Sequence, residues 1–195
     1  LEILPNDPVA LSALDRIYRR LKQWRALARV WNKHAEQLQS DPVKQGAAFL
    51  RVGEIYMEER DSEDEALNAY EHAYQVYPHL HPAVWAIEMI MYPRQGSGRL
   101  IDLYRTARKY MALPLERQIL THKIVLELSP NQIYRALKRD LQDEQENLDI
   151  LWWRVYTATE RGDTHAQAHS LLDLAQRLND EQDAYALALE AAQRV

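Results

Sequence analysis

The stretch AAFLRVGEIYMEERDSEDEALNAYEHAYQVYP, from Ala47 to Pro78, decides how the rest of the chain is interpreted. Apolar residues recur in it every three or four positions, which is the spacing of one face of an amphipathic helix. The pattern breaks at the charged run around Arg60 and resumes at Ala66. The stretch therefore predicts two helices joined by a tight turn, with Pro78 following the second helix.

Small and large residues occupy fixed places in this predicted pair. The first helix carries Phe49, Val52, Gly53 and Tyr56, and the second carries Ala66, Tyr70 and Ala73. Glycine and alanine let two helices approach closely, and the tyrosines would fill the space beside them. We expect these residues to pack the pair together rather than to bind a ligand.

The spacing of the second helix recurs along the chain, as repeat proteins require. The triplet Ala66, Tyr70 and Ala73 is matched 34 residues downstream and again 102 residues downstream, which is three times 34. The matching triplets are Leu100, Tyr104 and Ala107, then Ala168, Leu172 and Ala175. The copy expected between them, at Tyr134, Lys138 and Leu141, matches poorly.

This pattern resembles the tetratricopeptide repeat (TPR), a helix–turn–helix unit of 34 residues. The family pattern is a large residue, Leu-Gly and then Tyr on the first helix, followed by small–aromatic–small and Pro on the second. The quoted stretch matches both halves, with one extra residue in the turn. The half-TPR repeats, with Trp-rich first helices, are a close alternative around Trp152–Trp153.

The resemblance implies an all-α fold, a right-handed α-α superhelix (TPR-like solenoid) of about five helix pairs plus a terminal helix. A single repeat domain would span residues 1–195, with approximate units 8–45, 46–80, 81–114, 115–148 and 149–182 and a terminal helix at 183–195. The opening residues, Leu1–Leu4, resemble the end of an earlier helix. We therefore expect the chain to be a piece of a longer repeat protein.

Local signals predict where the helices begin and turn. The expected helix starts are Asn6-Asp7-Pro8, Asp41-Pro42, Ser62 with Glu65, His81-Pro82, Ser129-Pro130 with Gln132, Thr164 with Gln167, and Asp180. Breaks are predicted at Lys22–Gln23, at the loop-like Tyr92–Gly98, in the polar run Gln142–Asn147, and at the turn Arg161–Asp163.

Composition excludes several classes of protein. The 195 residues include no cysteine, which rules out a disulfide framework, a thiolate zinc site and a cysteine nucleophile. No apolar run approaches the ~18 residues of a membrane span, so we predict no membrane insertion. The absence of cysteine does not fix the compartment, although a cytoplasmic location is slightly favoured.

Charge is distributed unevenly along the chain. The net charge is −5, which argues against a nucleic-acid partner because such proteins usually carry a basic face. Between Leu11 and Lys44 there are eight Lys or Arg and three Asp or Glu, whereas between Glu54 and Glu71 there are eight acids and one arginine. Solvated helix faces explain this asymmetry, and a polarised binding surface is the alternative.

No catalytic constellation is visible in the sequence. The glycine loops, HExxH and GxSxG signatures are all missing. His165 and His169 share a helix face with Asp173, a spacing that could hold a metal, but an exposed polar face is the favoured interpretation. We predict a protein that is not an enzyme and that needs no cofactor and no metal.

The TPR resemblance implies that the first helices line a concave groove that binds an extended peptide or a partner helix. The residues predicted to line this groove are Arg16, Arg19, Leu50, Glu54, Trp85, Met89, Tyr92, Ile119, Lys123 and Trp153, with Ser12, Met57 and Thr157 beside them. The carboxylate clamp of chaperone-binding members needs Lys, Arg and Asn at positions that here carry Leu50 and Glu54, or Trp85 and Met89. That specific activity is not expected.

The function predicted is a protein–protein interaction or scaffolding module with a protein or peptide partner of unknown identity and an oligomeric state that the sequence leaves open. The alternative is a regulatory or substrate-docking arm of a larger enzyme that lies outside this chain. A third hypothesis, an RNA-associated helical repeat, is disfavoured by the acidic balance.

Overall fold

A computed structural model describes residues 8–59, 62–94, 97–139, 148–178 and 180–193. These residues form α-helices and no strand, which confirms the all-α prediction. The helices are α1 Pro8–Arg20, α2 Trp24–Gln37, α3 Pro42–Met57, α4 Glu63–Val76, α5 His81–Met91, α6 Ser97–Arg108, α7 Pro114–Leu126, α8 Pro130–Arg139, α9 Leu148–Glu160, α10 Thr164–Ala175 and α11 Glu181–Ala192.

Two predicted features lie outside the described residues. They are the helix start at Asn6-Asp7 and the polar run Gln142–Asn147, which includes the predicted end of α8. The loop predicted at Tyr92–Gly98 is shorter than expected: Tyr92–Arg94 form a 3₁₀ turn and α6 already begins at Ser97.

The chain divides into two compact units, Leu1–Leu120 and Thr121–Val195, with the boundary inside α7. In the first unit, α1 to α6 pack in chain order, each helix against the next. In the second unit, α8 packs on α9, α9 on α10 and α10 on α11. Sequential packing of this kind buries one face of each helix against its neighbours.

The α3–α4 pair shows why the small residues of the quoted stretch matter. A Cβ atom built on Gly53 would lie 2.5 Å from Cδ1 and 2.7 Å from Cζ of Tyr70 on the facing helix. Tyr70 is itself buried. Only a residue without a side chain fits under this ring, so the expected close contact between Gly53 and Tyr70 is present.

One buried cluster of the first unit joins α2 to the α3–α4 pair. Its buried members are Leu27, Ala28, Val52, Ile55 and Ala69. The partly buried rings of Tyr18, Trp24, Trp31 and Tyr56 pack against it. The two tryptophans of α2 therefore pack against this cluster.

Two of the predicted helix starts are capped as expected. The Asp41 carboxylate accepts a hydrogen bond from the backbone N–H of Lys44 at 3.2 Å, with Pro42 in the first turn of α3. The Asp180 carboxylate accepts from the N–H groups of Gln182 and Asp183 at the start of α11. Each bond satisfies donors that lack a partner inside the helix.

Ser129 and Gln132 form a related bond at the start of α8. The Gln132 side-chain oxygen accepts from both the backbone N–H and the hydroxyl of Ser129, at 2.9 Å each. This is the return half of a capping box, in which the third helical residue reaches back to the N-cap. The predicted start is correct, since the helix begins at Pro130.

Two other predicted caps are wrong. Ser62 precedes α4 but makes no capping bond, because its buried hydroxyl donates to the carboxylate of Glu59 at 3.0 Å. At α10 the cap is Asp163, which accepts from the N–H of Ala166, and Thr164 is already helical. In both places a carboxylate close in sequence takes part: Glu59 accepts from the Ser62 hydroxyl, and Asp163 accepts the capping N–H of α10.

Helices α1 and α9 are each followed by a turn with one residue in the left-handed backbone conformation. Gly162 has φ +66° and Lys22 has φ +53°, both in the left-handed region. At each turn two N–H groups fold back onto carbonyls of the last helical turn, as in a Schellman motif. The turn predicted at Arg161–Asp163 is therefore present, and Lys22 holds a position that glycine usually occupies.

The second unit contains two separate buried clusters. Val125, Ile133, Leu137 and Ile150 form one, and Ala168, Leu171 and Ala191 form the other.

Within the part of the chain that the structure describes, no helix combines the length and apolarity needed to span a membrane.

Candidate functional site

The solvent-facing side of α5 carries the most exposed of the predicted groove residues. Trp85, Met89 and Tyr92 stand at i, i+4 and i+7, so they form one row along the helix. Met89 is 74% exposed and Tyr92 is 64% exposed, while Trp85 is half-buried. The opposite side of α5 is buried in the first unit. Large apolar groups exposed in a row commonly mark contact surfaces.

Comparable rows occur on α3 and α7. On α3, Leu50 is half-buried and Glu54 and Met57 are exposed, again at i, i+4 and i+7. On α7, Ile119 is exposed and the adjacent Leu115, one turn earlier, is more exposed still. Leu115 was not among the predicted groove residues, although its distance of four residues from Ile119 would have indicated it.

The two arginines predicted to line the groove differ in their exposure and in the contacts that they make inside the protein. Arg16 is exposed and forms no ion pair within the described residues. Arg19 is half-buried: its Nε donates to Asp15 at 2.8 Å, and its guanidinium lies 5.9 Å from the ring centre of Trp24. A second contact, 4.0 Å long, joins it to Glu58 on α3. Arg19 therefore links helices of the first unit.

In the second unit the predicted groove residues are less exposed. Lys123 is half-buried, and Trp153 packs against the cluster around Ile150 with its ring 5.9 Å from that of His122. Thr157 is 1% exposed and its hydroxyl donates to the Arg154 carbonyl, so this residue faces the interior.

The solvent-facing row of α9 is offset by one residue from the prediction. Trp152 and Tyr156, at i and i+4, are both exposed, whereas the predicted residues Trp153 and Thr157 follow them by one position. The helix is apolar on two sides, so the spacing of its apolar residues does not distinguish the buried side. The exposed pair on α9 resembles the row on α5 in composition.

The acidic segment around α4 is largely neutralised within the first unit. Carboxylates of this segment are paired with arginines from neighbouring helices. The pairs are Glu58–Arg19, Glu59–Arg25, Glu63–Arg94, Asp64–Arg94 and Glu71–Arg99. Because these carboxylates have partners inside the protein, the segment is not an open anionic surface. The observed pairing favours the interpretation as structural and solvated helix faces.

Arg94 makes the densest of these contacts. Its two terminal nitrogens lie 2.5 Å from Asp64 Oδ1 and 2.8 Å from Glu63 Oε2, at the start of α4. These hydrogen bonds raise the pKa of Arg94. These ion pairs connect the 3₁₀ turn that begins with Tyr92 to the start of α4. Tyr92, the last residue of the α5 row, is therefore held close to α4.

Two buried tyrosines of α4 have altered acidity. Burial raises the pKa of Tyr70 to about 12, with a smaller contribution from the Glu54 carboxylate. Burial also raises the pKa of Tyr74 to about 12, with a smaller contribution from Tyr110. The Tyr74 hydroxyl has no hydrogen-bond partner among the residues that the structure describes. Both phenols are held neutral by their surroundings and neither lies in the exposed rows.

The histidine pair on α10 does not extend into a metal site within the described chain. The rings of His165 and His169 are edge to face with centres 4.6 Å apart. No group of three or more His, Asp or Glu side chains capable of holding a metal ion occurs among the described residues. Both rings lie at the protein surface.

Comparison with protein-family models gives no match for this chain, and comparison with curated proteins gives none either.

Proposed function

We propose that this chain is a TPR-like helical repeat, wound as a right-handed superhelix, whose role is to bind a peptide or a helix of a partner protein. The role is that of a non-enzymatic interaction or scaffolding module. The binding face comprises the exposed rows on α3, α5 and α7, with Trp85, Met89 and Tyr92 at its centre.

The observation that carries this proposal is the row on α5. Burying an aromatic or methionine side chain removes a large apolar area from water, and such residues dominate binding energies at interfaces. Met89 and Tyr92 project most of their surface into solvent while Ile87 and Ile90 of the same helix are buried. A helix with a complete core face therefore carries a second apolar row, which a partner could bury.

Contacts between first helices support the repeat arrangement. Arg51 on α3 lies 3.6 Å from Asp15 on α1, and His81 Nδ1 at the start of α5 lies 3.4 Å from Glu116 at the start of α7. Helix α1 is thus in contact with α3, and α5 with α7. Adjacent first helices are what a continuous groove along a TPR-like array requires.

The rows also indicate the kind of partner. Methionine is flexible and polarizable, and it adapts to differently shaped apolar side chains. The face includes Met57 and Met89 together with the aromatic Tyr92. It suits a segment that inserts apolar side chains at regular intervals, either an extended peptide or one face of a helix.

The test is a selection of binders from a random-peptide display library, followed by fluorescence anisotropy of a selected peptide. The variant Met89→Ala/Tyr92→Ala should bind it about tenfold or more weakly, because truncating a central apolar anchor costs at least ~1–2 kcal/mol. The matched control is Tyr185→Ala/Leu189→Ala, which removes an exposed aromatic and an exposed aliphatic side chain from α11.

The control should bind the peptide as the wild type does. Circular dichroism must show that both variants remain folded. If the α5 variant retains full affinity for every selected peptide, the assignment of the binding face to this row is wrong.

A further inference from the structure

Helix α5 continues into a short turn that ends at Arg94. The helix ends at Met91 and Tyr92–Arg94 form a 3₁₀ turn. The Tyr92 N–H still donates to the Glu88 carbonyl, so this turn follows directly from the last turn of the helix. The Pro93 ring fixes its own φ, and the Cα atoms of Tyr92 and Arg94 can lie at most about 7 Å apart. Whatever holds Arg94 in place therefore also restrains the backbone of Tyr92.

The Arg94 guanidinium is held by two adjacent carboxylates of α4. Its Nη1 donates to Asp64 Oδ1 at 2.5 Å and its Nη2 donates to Glu63 Oε2 at 2.8 Å. Two bonds from one planar fork fix the orientation of the guanidinium more closely than a single contact would. Both carboxylates lie in the first turn of α4, where the helix dipole favours negative charge.

Tyr92 itself is poorly anchored by packing. It is 64% exposed, so contact with the protein interior contributes little to the position of its ring. The backbone connection to Arg94 is short, and Arg94 is tied to a helix that buries Ala66, Leu67 and Tyr70. The ion pairs at Arg94 thus link the exposed end of the α5 row to a well-packed part of the first unit.

We propose that Arg94 is a positioning residue of the binding face and acts through Tyr92, an inference that rests on the proposed function of the α5 row. With the ion pairs formed, the last turn of α5 stays ordered and presents Tyr92 in one place. Without them this turn frays, and a partner must order it again on binding, which weakens binding through lost conformational entropy. Exposed ion pairs weaken in salt, so the affinity of the face depends on ionic strength even for an uncharged partner.

Arg99 provides a matched control inside the same unit. Its Nη2 donates to Glu71 Oε1, so it also pairs with an acid of α4. Arg99 belongs to α6, however, and lies outside the turn that carries Tyr92. Arg99→Gln removes the same kind of charge and contact as Arg94→Gln without releasing the end of α5.

The first experiment needs no partner and measures hydrogen exchange of the Tyr92 amide by NMR on the whole chain. Arg94→Gln should speed this exchange about threefold or more, the effect expected when a partly exposed ion pair is lost. Arg94→Lys should fall between the two, because an ammonium lacks the planar fork. Arg99→Gln should leave the rate unchanged. Equal rates in the wild type and Arg94→Gln would overturn the proposal.

The second experiment measures binding of a display-selected peptide that has no charged residue, by fluorescence anisotropy at low and high salt. Arg94→Gln should weaken binding about threefold or more, and Glu63→Gln/Asp64→Asn should do the same. The chain with all three substitutions should lose no more than either variant, since the three side chains act through one contact. High salt should weaken binding to the wild type and leave that to Arg94→Gln unchanged.

The outcomes separate this proposal from the proposed function. Weaker binding in Met89→Ala/Tyr92→Ala but not in Arg94→Gln rejects the positioning role alone, whereas full binding in both rejects the binding face itself. Additive losses in the triple variant, or a loss in Arg99→Gln as large as in Arg94→Gln, would also overturn the role of Arg94. Circular dichroism and thermal melting check that each variant is folded, and Arg94→Lys replaces Arg94→Gln if the latter unfolds.

Discussion

The α1–α2 and α3–α4 hairpins are both pairs of adjacent helices, but they differ in how deeply their helices are buried. In the α3–α4 hairpin, both helices bury several residues, and the glycine at position 53 lies directly under the ring of Tyr70. In the α1–α2 hairpin, α2 joins the same core through Leu27, while α1 has no fully buried residue within its described length.

The difference shows which features of a repeat unit serve the fold and which remain available. The α3–α4 hairpin uses its small residues for close approach, and its carboxylates are tied to arginines of neighbouring helices. The α1 helix carries the same kinds of residue, yet its Ile17 and Arg20 face solvent. Substitutions at equivalent residue types in the two hairpins should therefore have unequal effects.

The largest effect is expected for the two isoleucines. Ile55 of α3 is 0% exposed and Ile17 of α1 is 50% exposed. Ile55→Ala should lower the free energy of unfolding by about 2–5 kcal/mol, because it removes buried methyl groups and leaves a cavity. Ile17→Ala should change it by no more than about 0.5 kcal/mol. Urea unfolding followed by circular dichroism measures both, and equal effects would contradict the comparison.

Close approach at Gly53 gives the second prediction. Gly53→Leu should destabilise the protein by about 1–3 kcal/mol, since the new side chain must displace the Tyr70 ring from a packed site. The melting temperature should fall by several degrees. Gly98→Ala on α6 is the control, because a Cβ there meets nothing within 4 Å. An unchanged melt for Gly53→Leu would exclude the close helix contact.

Substitutions at Lys22 and Gly162, one in a turn of each unit, should change the stability by smaller amounts and in opposite directions. Lys22 and Gly162 both adopt positive φ, which is strained for a residue with a side chain. Lys22→Gly should stabilise the chain by about 0.5–1 kcal/mol, and Gly162→Ala should destabilise it by a similar amount. Thermal and urea unfolding would report both. A destabilised Lys22→Gly would show that the lysine side chain makes an important contact.

The smallest effect at neutral pH is expected for Tyr74→Phe. The native fold holds the phenol neutral, with its pKa raised to about 12. In the unfolded chain it ionises near pH 10. The associated stability is thus present below about pH 10 and is lost as the pH rises towards 12.

The Tyr74→Phe variant should match or slightly exceed the wild type at pH 7, since it removes a buried hydroxyl that has no partner. Between pH 10 and 12 its urea midpoint should fall less than that of the wild type. Tyr185→Phe serves as the control, because Tyr185 is exposed. Parallel losses in the Tyr74 and Tyr185 variants would contradict the role given to burial.

The sequence predicted the helices well because their signals are local. Asp41-Pro42 and Asp180 each bring a carboxylate within reach of the next N–H groups, and the caps form there as expected. The caps predicted at Ser62 and Thr164 failed because the Ser62 hydroxyl is turned to the Glu59 carboxylate and Asp163 takes the capping bond of α10. Such competition depends on where the chain turns, which the spacing of residues alone does not specify.

The candidate site was predictable to a smaller extent. The row on α5 was identified correctly as a row, since i, i+4 and i+7 must share a side of a helix. The sequence did not predict which side of α9 is buried, because Trp152 and Trp153 make the helix apolar on two sides. The engagement of Arg19 with Asp15 and Glu58 involves contacts between helices, and no sequence pattern indicates them.

The most direct test of the proposed binding face uses the four methionines of the chain. Met57 and Met89 are exposed in the rows of α3 and α5, whereas Met91 and Met111 are buried and act as internal controls. With ¹³C-methyl-labelled methionine, addition of a selected peptide should shift the NMR signals of Met89 and Met57 and leave those of Met91 and Met111 in place. A saturating peptide that leaves the Met89 signal unmoved would contradict the account.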